Sequence, residues 1–377
     1  MAATHAAGPT IRALELGKRI LMQANFVIGT GRCGSTLLST LLAENREALV
    51  LSEFFGGLDM INRFSPGPMS GEELAIMLSR DMELAHFWKI RSKKIKEILV
   101  DRQALAQKWN GHIPVLLEIA LPALTSDPQA LFDEMIAWAR ARPAVPLSEH
   151  YPALFAWLAG KLGRAMWIER SGASFEFLEG LLDTFPDARF VHIHRDGREA
   201  ALSMLNHMHF RQIVSYHYDA PSDEEVRRTA LELDPPEIDP FLARIEGPQD
   251  IRRFADYWSF CMARGYHVMP RIRPENFMEI RFEDLLADPP AVLGQVAAFF
   301  GMPDDEGWIA RAQAHINREV PLRAPDLTAE QTEALDQGCY YGQLLIGRER
   351  TPSPLFRANA VAREVFDGQK PAPAQSD

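Results

Sequence analysis

The chain has 377 residues, 47% of them apolar, with 51 acidic against 40 basic side chains and a formal charge of −11. That is ample material for a buried core, as one large domain with insertions or two smaller ones, and no stretch approaches the roughly 18 to 20 uncharged apolar residues that span a bilayer. The acidic balance argues against a nucleic-acid binder, whose affinity rests on phosphate contacts, and against a long polyanionic acceptor; a small anion needs only a local pocket of positive potential.

The N-terminus lacks the basic segment, apolar run and small-residue cleavage site of a signal peptide, and residues 1–18 read as a loose leader. Three cysteines, Cys33, Cys261 and Cys339, are spaced for neither a disulfide framework nor a metal site, so a reducing cytoplasm is the expected compartment. Residues 25–29 are a short apolar run that predicts a buried strand, followed by a glycine-rich turn and a helix over 35–43. A second strand is predicted at 48–52. From 70 to 162 the periodicity is helical, with breaks at Pro114, Pro122, Pro128, Pro143, Pro146 and Pro152. Strands return at 166–168 and 189–194, with helices over 175–185 and 199–209. Residues 219–250 are acidic and proline-rich, a loop or lid candidate. A helix over 250–269, a strand at 277–281 and a helix over 290–300 follow. The last helix, 328–345, opens on Leu327-Thr328-Ala329-Glu330 in the manner of a capping box, and 358–377 is a tail. Strands alternating with helices predict an α/β, three-layer fold around a mostly parallel sheet.

The segment Phe26-Val-Ile-Gly-Thr-Gly-Arg-Cys-Gly-Ser-Thr-Leu-Leu38 runs strand, turn, helix. Gly29, Gly31 and Gly34 let backbone N–H groups crowd inward around an anion, and the helix N-terminus adds its own N–H groups and partial positive charge. Gly29-x4-Gly34 has the spacing of a Walker A loop, but Ser35 stands where an NTPase has lysine. That lysine serves the β- and γ-phosphates; a donor without a γ-phosphate has no such need, and Arg32 with the Ser35 and Thr36 hydroxyls suits a phosphosulfate. The plainer reading is an ordinary glycine turn. In Phe185-Pro-Asp-Ala-Arg-Phe-Val-His-Ile-His-Arg-Asp196, Arg195 ends an apolar strand, and Ser203 lies about two helical turns beyond. Strand carboxyl ends are where open α/β sheets bind ligands, so the pair suits one phosphate, although a surface pairing of Arg195 with Asp196 or Glu199 explains it as well.

Together these segments resemble the PAPS-dependent sulfotransferase family in its bacterial and tyrosyl-protein-like branches. Its 5′-phosphosulfate loop, Arg-x-Gly-(Ser/Thr)-(Ser/Thr), is matched by Arg32-Cys33-Gly34-Ser35-Thr36. Its 3′-phosphate site, a strand-end Arg followed eight residues later by Ser, is matched by Arg195 and Ser203. Arg281-Phe-Glu-Asp-Leu-Leu-Ala-Asp-Pro289 resembles the segment before its last core helices. The resemblance spans 25 to about 347 but skips 65–162 and 219–250. It implies a P-loop-like fold, a PAPS donor (PAP as product) held by Arg32, Cys33, Gly34, Ser35, Thr36, Leu37, Arg195 and Ser203, and no metal; the helical, aromatic-bearing 65–162 insertion is expected to cap the acceptor site, and its size suggests a small or lipid-like acceptor. Transfer would be an in-line displacement onto a hydroxyl, or an amine, of a small-molecule or lipid-like acceptor, carrier-bound or not. A non-catalytic nucleotide-binding module and a P-loop kinase are the alternatives.

In those branches a Glu placed like Glu53, just past the second strand, is the general base; a Glu at a helix N-terminus is the simpler explanation. Asp59, His207 and His209 are reserves, and His207 with His209 lacks further ligands for a metal. The family stretch Glu-Lys-(Ser/Thr)-Pro reads Glu169-Arg170-Ser171-Gly172 here. Arg170 keeps the charge that faces the sulfuryl oxygens but is no proton donor; a pairing with Glu169 or Glu176 is its structural alternative. Arg318 and Arg323 lie where the family closes a basic loop over the nucleotide. The basic 89–96 cluster reads as a solvated helix face.

Overall fold

Apolar runs of four to six residues that end in polar or glycine turns become strands, and here the main ones all run the same way. The computed structural model describes residues 23–59, 61–81, 99–100, 105, 108–110, 112–219, 245–316 and 327–347. In chain order, β1 (Asn25–Ile28) leads into α1 (Ser35–Leu42), and β2 (Ala48–Ser52) into the single turn α2 (Phe54–Gly57). Then come β3 (Pro68–Met69), α3 (Gly71–Leu78), α4 (Val115–Ile119), α5 (Pro128–Arg140), β4 (Val145–Pro146) and α6 (Leu147–Lys161). The sheet resumes with β5 (Met166–Arg170), α7 (Leu178–Thr184), β6 (Arg189–His194), α8 (Gly197–Leu205), α9 (Met208–Tyr218) and α10 (Ile251–Val268). It closes with β7 (Phe277–Arg281), α11 (Phe282–Ala287), α12 (Pro289–Phe300), α13 (Trp308–Gln313) and α14 (Ala329–Leu345).

The main sheet has the order β2-β5-β1-β6-β7, and every pairing is parallel. The fold is therefore α/β with a central parallel sheet between helical layers, as the strand–helix alternation predicts. Residue alternation divides each strand between two cores. Phe26, Leu51, Trp167 and Phe190 face one side with α3 to α10; Val27, Val50, Ile168 and Ile193 face the other with α1, α12 and α13. Phe26 anchors the first core, its ring 5.9 Å from Trp167, 5.0 Å from Phe185 and 5.4 Å from Phe190. Tyr151, Phe155 and Phe132 of the 65–162 region belong to that same core; each such burial is worth about 2–3 kcal/mol.

Three departures from the predicted elements have local causes. Pro152 does not break a helix but lies inside α6. Its ring disfavours the preceding turn by roughly 3 kcal/mol, against which stands the burial of Tyr151, Leu154, Phe155 and Leu158 on the same helix. The predicted 199–209 helix is two helices, because Arg211 Nε donates to the Leu205 carbonyl (2.6 Å) and Asn206 Nδ2 to the Leu202 carbonyl (2.9 Å), closing α8. Strand β5 runs two residues past its predicted end and takes in Glu169 and Arg170. The 1–18 leader, residues 220–244 of the acidic stretch, the 89–96 cluster, Arg318, Arg323 and the 358–377 tail lie outside the described residues.

Candidate active site

Because all five strands are parallel, the Gly-loop after β1, Glu53 after β2, Arg170 at the end of β5 and Arg195 after β6 share one rim. The loop is built on left-handed backbone: Gly31 has φ 80°, Arg32 φ 53° and Gly34 φ 101°. A Cβ on Gly34 would stand 2.1 Å from the Phe282 ring, and one on Gly31 2.4 Å from Phe210. Both positions need glycine for space as well as for φ. Gly34 is the N-cap of α1, and the first helical bond is Leu38 N–H to the Gly34 carbonyl at 3.0 Å. The N–H groups of Ser35, Thr36 and Leu37 precede that bond and carry the positive end of the helix.

A cleft of about 1170 Å³ opens on this rim, lined by Arg32, Thr36, Ser39, Glu53, Arg170 and Ser203 on its polar side. Ser52 pairs in register with Arg170, and Glu53 N–H donates to the Arg170 carbonyl at 2.7 Å, so adjacent strands deliver the two side chains to one point. The Arg170 guanidinium forms an ion pair with Glu53 through Nη1 and Oε1, and its Nε donates to Ser39 Oγ at 3.3 Å. Gly172 N–H donates to Glu53 Oε2 at 3.0 Å. Arg170 is 5% exposed and Glu53 22%, so the pair meets the cleft mainly through the carboxylate. Glu53 itself adopts φ 60°, a left-handed backbone that aims its side chain back at β5.

Arg32 Nε donates to Ser203 Oγ at 3.1 Å, which brings the two anion segments of the sequence together. Arg195 is absent from the cleft lining; it pairs with Glu199 at 3.3 Å and lies over the Phe282 ring at 4.9 Å. Cys33 and Ser35 are buried and Leu37 packs on the second core, and these three residues and Gly34 are absent from the cleft lining. Asp59 is outside the lining. Burial alone would raise its carboxyl, but hydrogen bonds from Asn62 and Ile61 and the charge of Arg80 hold it below the usual range. His207 and His209 do line the cleft, with ring centroids 5.7 Å and 6.3 Å from that of Phe210. Among the described residues no group of three or more His, Cys, Asp or Glu could hold a metal ion, and the three cysteines are buried and free.

The partner of Arg170 is Glu53, not Glu169 or Glu176, and strand alternation is the reason: Glu169 and Arg170 point to opposite faces. Sequence reading also passed over Ser39, Thr40 and Ala43. They follow Thr36 at i+3, i+4 and i+7, and all four line the cleft along one face of α1. The signal was there, in hydroxyls at 36, 39 and 40 set among Leu37, Leu38, Leu41 and Leu42. The apolar wall, Val50, Leu99, Ile119 and Ala123, draws on distant parts of the chain.

A family model described as the sulfotransferase family matches residues 25–234 and 241–306. The chain belongs to the sulfotransferase family. Two relatives, the omega-hydroxy-beta-dihydromenaquinone-9 sulfotransferases Stf3 of Mycobacterium bovis and Mycobacterium tuberculosis, are each 26% identical over 190 residues, 48% of this chain. The alignment spans 41% of the length of those relatives. Among solved structures, the sulfotransferase domain from the curacin biosynthetic pathway aligns at TM-score 0.42 and 15% identity, over 92% of this chain and 96% of its own. Sulfotransferase STF9 from Mycobacterium avium aligns at 0.39 and 18%, over 86% and 75%. The sheet order, rather than these alignments, carries the fold of this chain. No described helix is long and apolar enough to cross a membrane.

Proposed function

We propose that this sulfotransferase moves a sulfuryl group from PAPS to a hydroxyl of a lipid-like small molecule, with Glu53 as the general base. The observation that carries the reading is the Glu53 carboxylate, held by Arg170 and the Gly172 N–H in the same cleft as Arg32, Thr36 and Ser203. The acceptor oxygen attacks sulfur in line with the bond to the phosphate oxygen of the donor. That S–O bond breaks, its electron pair leaves on PAP, and the hydroxyl proton passes to Glu53. Each Glu53 oxygen carries a further lone pair beyond its present hydrogen bond, which is what a base needs here. Arg170 and Arg32 offset the charge on the sulfuryl and leaving oxygens, as preorganised donors do in phosphoryl transfer. The N–H groups of Ser35, Thr36 and Leu37 suit the 5′-phosphate. Arg195 and Ser203 are assigned the 3′-phosphate, for which Arg195 would turn from Glu199. Arg318 and Arg323 are assigned to close over the nucleotide.

The apolar wall of Val50, Leu99, Ile119 and Ala123 supports a hydrocarbon-bearing acceptor. The name of the mycobacterial relatives, which gives a hydroxylated menaquinone, points the same way. The buried free cysteines suit a reducing compartment. The test is transfer of radiolabelled sulfate from PAPS to a panel of phenols and long-chain primary alcohols. Glu53→Gln should lower kcat by about a hundredfold or more while leaving PAP affinity within about threefold. A Glu53→Gln protein as active as wild type removes the base assignment.

A further inference from the structure

Strand β5 ends in two charged residues that alternate across the sheet. Arg170 turns to Ser39 and Glu53; Glu169 turns the other way, into the core of Phe26, Leu51 and Trp167, and is 1% exposed. A carboxyl so placed costs free energy unless its oxygens are satisfied. Ser171 donates its hydroxyl to Glu169 Oε1, the Phe55 N–H approaches the same oxygen at 3.4 Å, and Ser171 Oγ in turn accepts the Gly56 N–H at 2.9 Å. These bonds tie the single turn α2, which starts from Glu53, to the residue standing between Arg170 and Gly172. Those two neighbours are the ones that grip the Glu53 carboxylate, Arg170 on Oε1 and Gly172 N–H on Oε2. Glu53 is therefore held in front by two donors whose own spacing is set from behind.

We propose that Glu169 is a positioning residue for Glu53, fixing through Ser171 the turn on which Arg170 and Gly172 hold the base. The inference rests on the reading of Glu53 given above and extends it to a buried carboxyl that touches neither donor nor acceptor. A side chain that only had to fill this core would be apolar, since replacing a buried polar pair by hydrocarbon of the same shape is often neutral or favourable. The hydrogen bonds to α2 and to Ser171 give the carboxyl its use: a displacement of the base by an ångström is enough to cost a large part of the rate.

The experiment measures kcat, the PAPS KM and PAP affinity for Glu169→Ala, Glu169→Gln and Ser171→Ala, with the best acceptor of the alcohol and phenol panel. The amide oxygen of Gln can accept both hydrogen bonds, so Glu169→Gln should keep kcat within about threefold. Glu169→Ala and Ser171→Ala should each lose about tenfold or more in kcat, with the PAPS KM and PAP affinity unchanged. Wild-type kcat in both alanine variants overturns the inference, as does a Glu169→Gln protein as impaired as Glu169→Ala. A parallel loss of PAP binding and kcat in all three also overturns it, because the role would then be structural alone. Should Glu169→Ala not fold, Ser171→Ala decides by itself: reduced kcat at unchanged PAP affinity sustains the inference and wild-type kcat sinks it. A wild-type protein that binds no PAP defeats the nucleotide-site reading first, a failure distinct from these.

Discussion

Arg170 stands where the family pattern has lysine, and its surroundings show what the longer fork gains. One guanidinium spans the Glu53 carboxylate and the Ser39 hydroxyl, two partners on different elements. A lysine ammonium is a compact point charge without that fork. Arg170→Ala should therefore lower stability by about 1–3 kcal/mol, since Glu53 is left without its counter-charge, and lower kcat by about a hundredfold; Arg170→Lys should fall between. Thermal melts and sulfate transfer check both. At Glu169 the quantity is a proton. Burial lifts its carboxyl to about 8; the Ser171 and Phe55 hydrogen bonds lower it, Glu53 raises it and Arg170 lowers it. Arg63, buried on the same side, faces it too. A carboxyl raised in the folded state binds a proton there that the unfolded chain releases near 4.5, so its stabilising contribution is complete below about 4.5 and is lost as pH rises to about 8. Glu169→Gln should remove that slope, which chemical denaturation between those pH values measures; an unchanged slope contradicts the assignment. Gly34→Ala meets both a positive φ and the Phe282 ring, and should cost at least about 1–3 kcal/mol.

At the scale of elements, strands were legible where both flanks carried a signal. β6 begins and ends as predicted, because Pro186 and Asp187 precede it and the charged Arg195-Asp196 follows. β5 was read too short, because a charged pair looks like the end of a buried strand. Glu169 and Arg170 stay in the ladder since each finds partners on its own face of the sheet. The two-residue strands β3 and β4 left no trace in the helical periodicity around them. Helix α14 does start at a capping box, but the reciprocal side chain is Gln331, three residues after Thr328, rather than Glu330. Thr328→Ala should cost about 1 kcal/mol, readable as a fall in Tm.

For the molecule as a whole, the loop, the strand-end residues and the family could be read from the sequence because each lies in one short segment. The apolar wall of the cleft could not be read residue by residue, because it joins Val50 of β2 to Leu99, Ile119 and Ala123 of the 65–162 region, which no local pattern connects. Arg195 makes the pairing with Glu199 that the sequence offered beside the phosphate site, whereas the partner of Ser203, Arg32, comes from a distant segment that no spacing connects to it. A net charge of −11 is compatible with an anionic donor because Arg32, Arg170 and a helix N-terminus set the local potential. The measurement that bears most directly on this account is calorimetric titration with PAP, beside ATP and 5′-AMP, with no metal added. PAP should bind more tightly than either, and Arg195→Ala should weaken PAP by about tenfold or more while leaving 5′-AMP unchanged. Binding of ATP with magnesium but not of PAP would contradict the account and turn it toward a kinase.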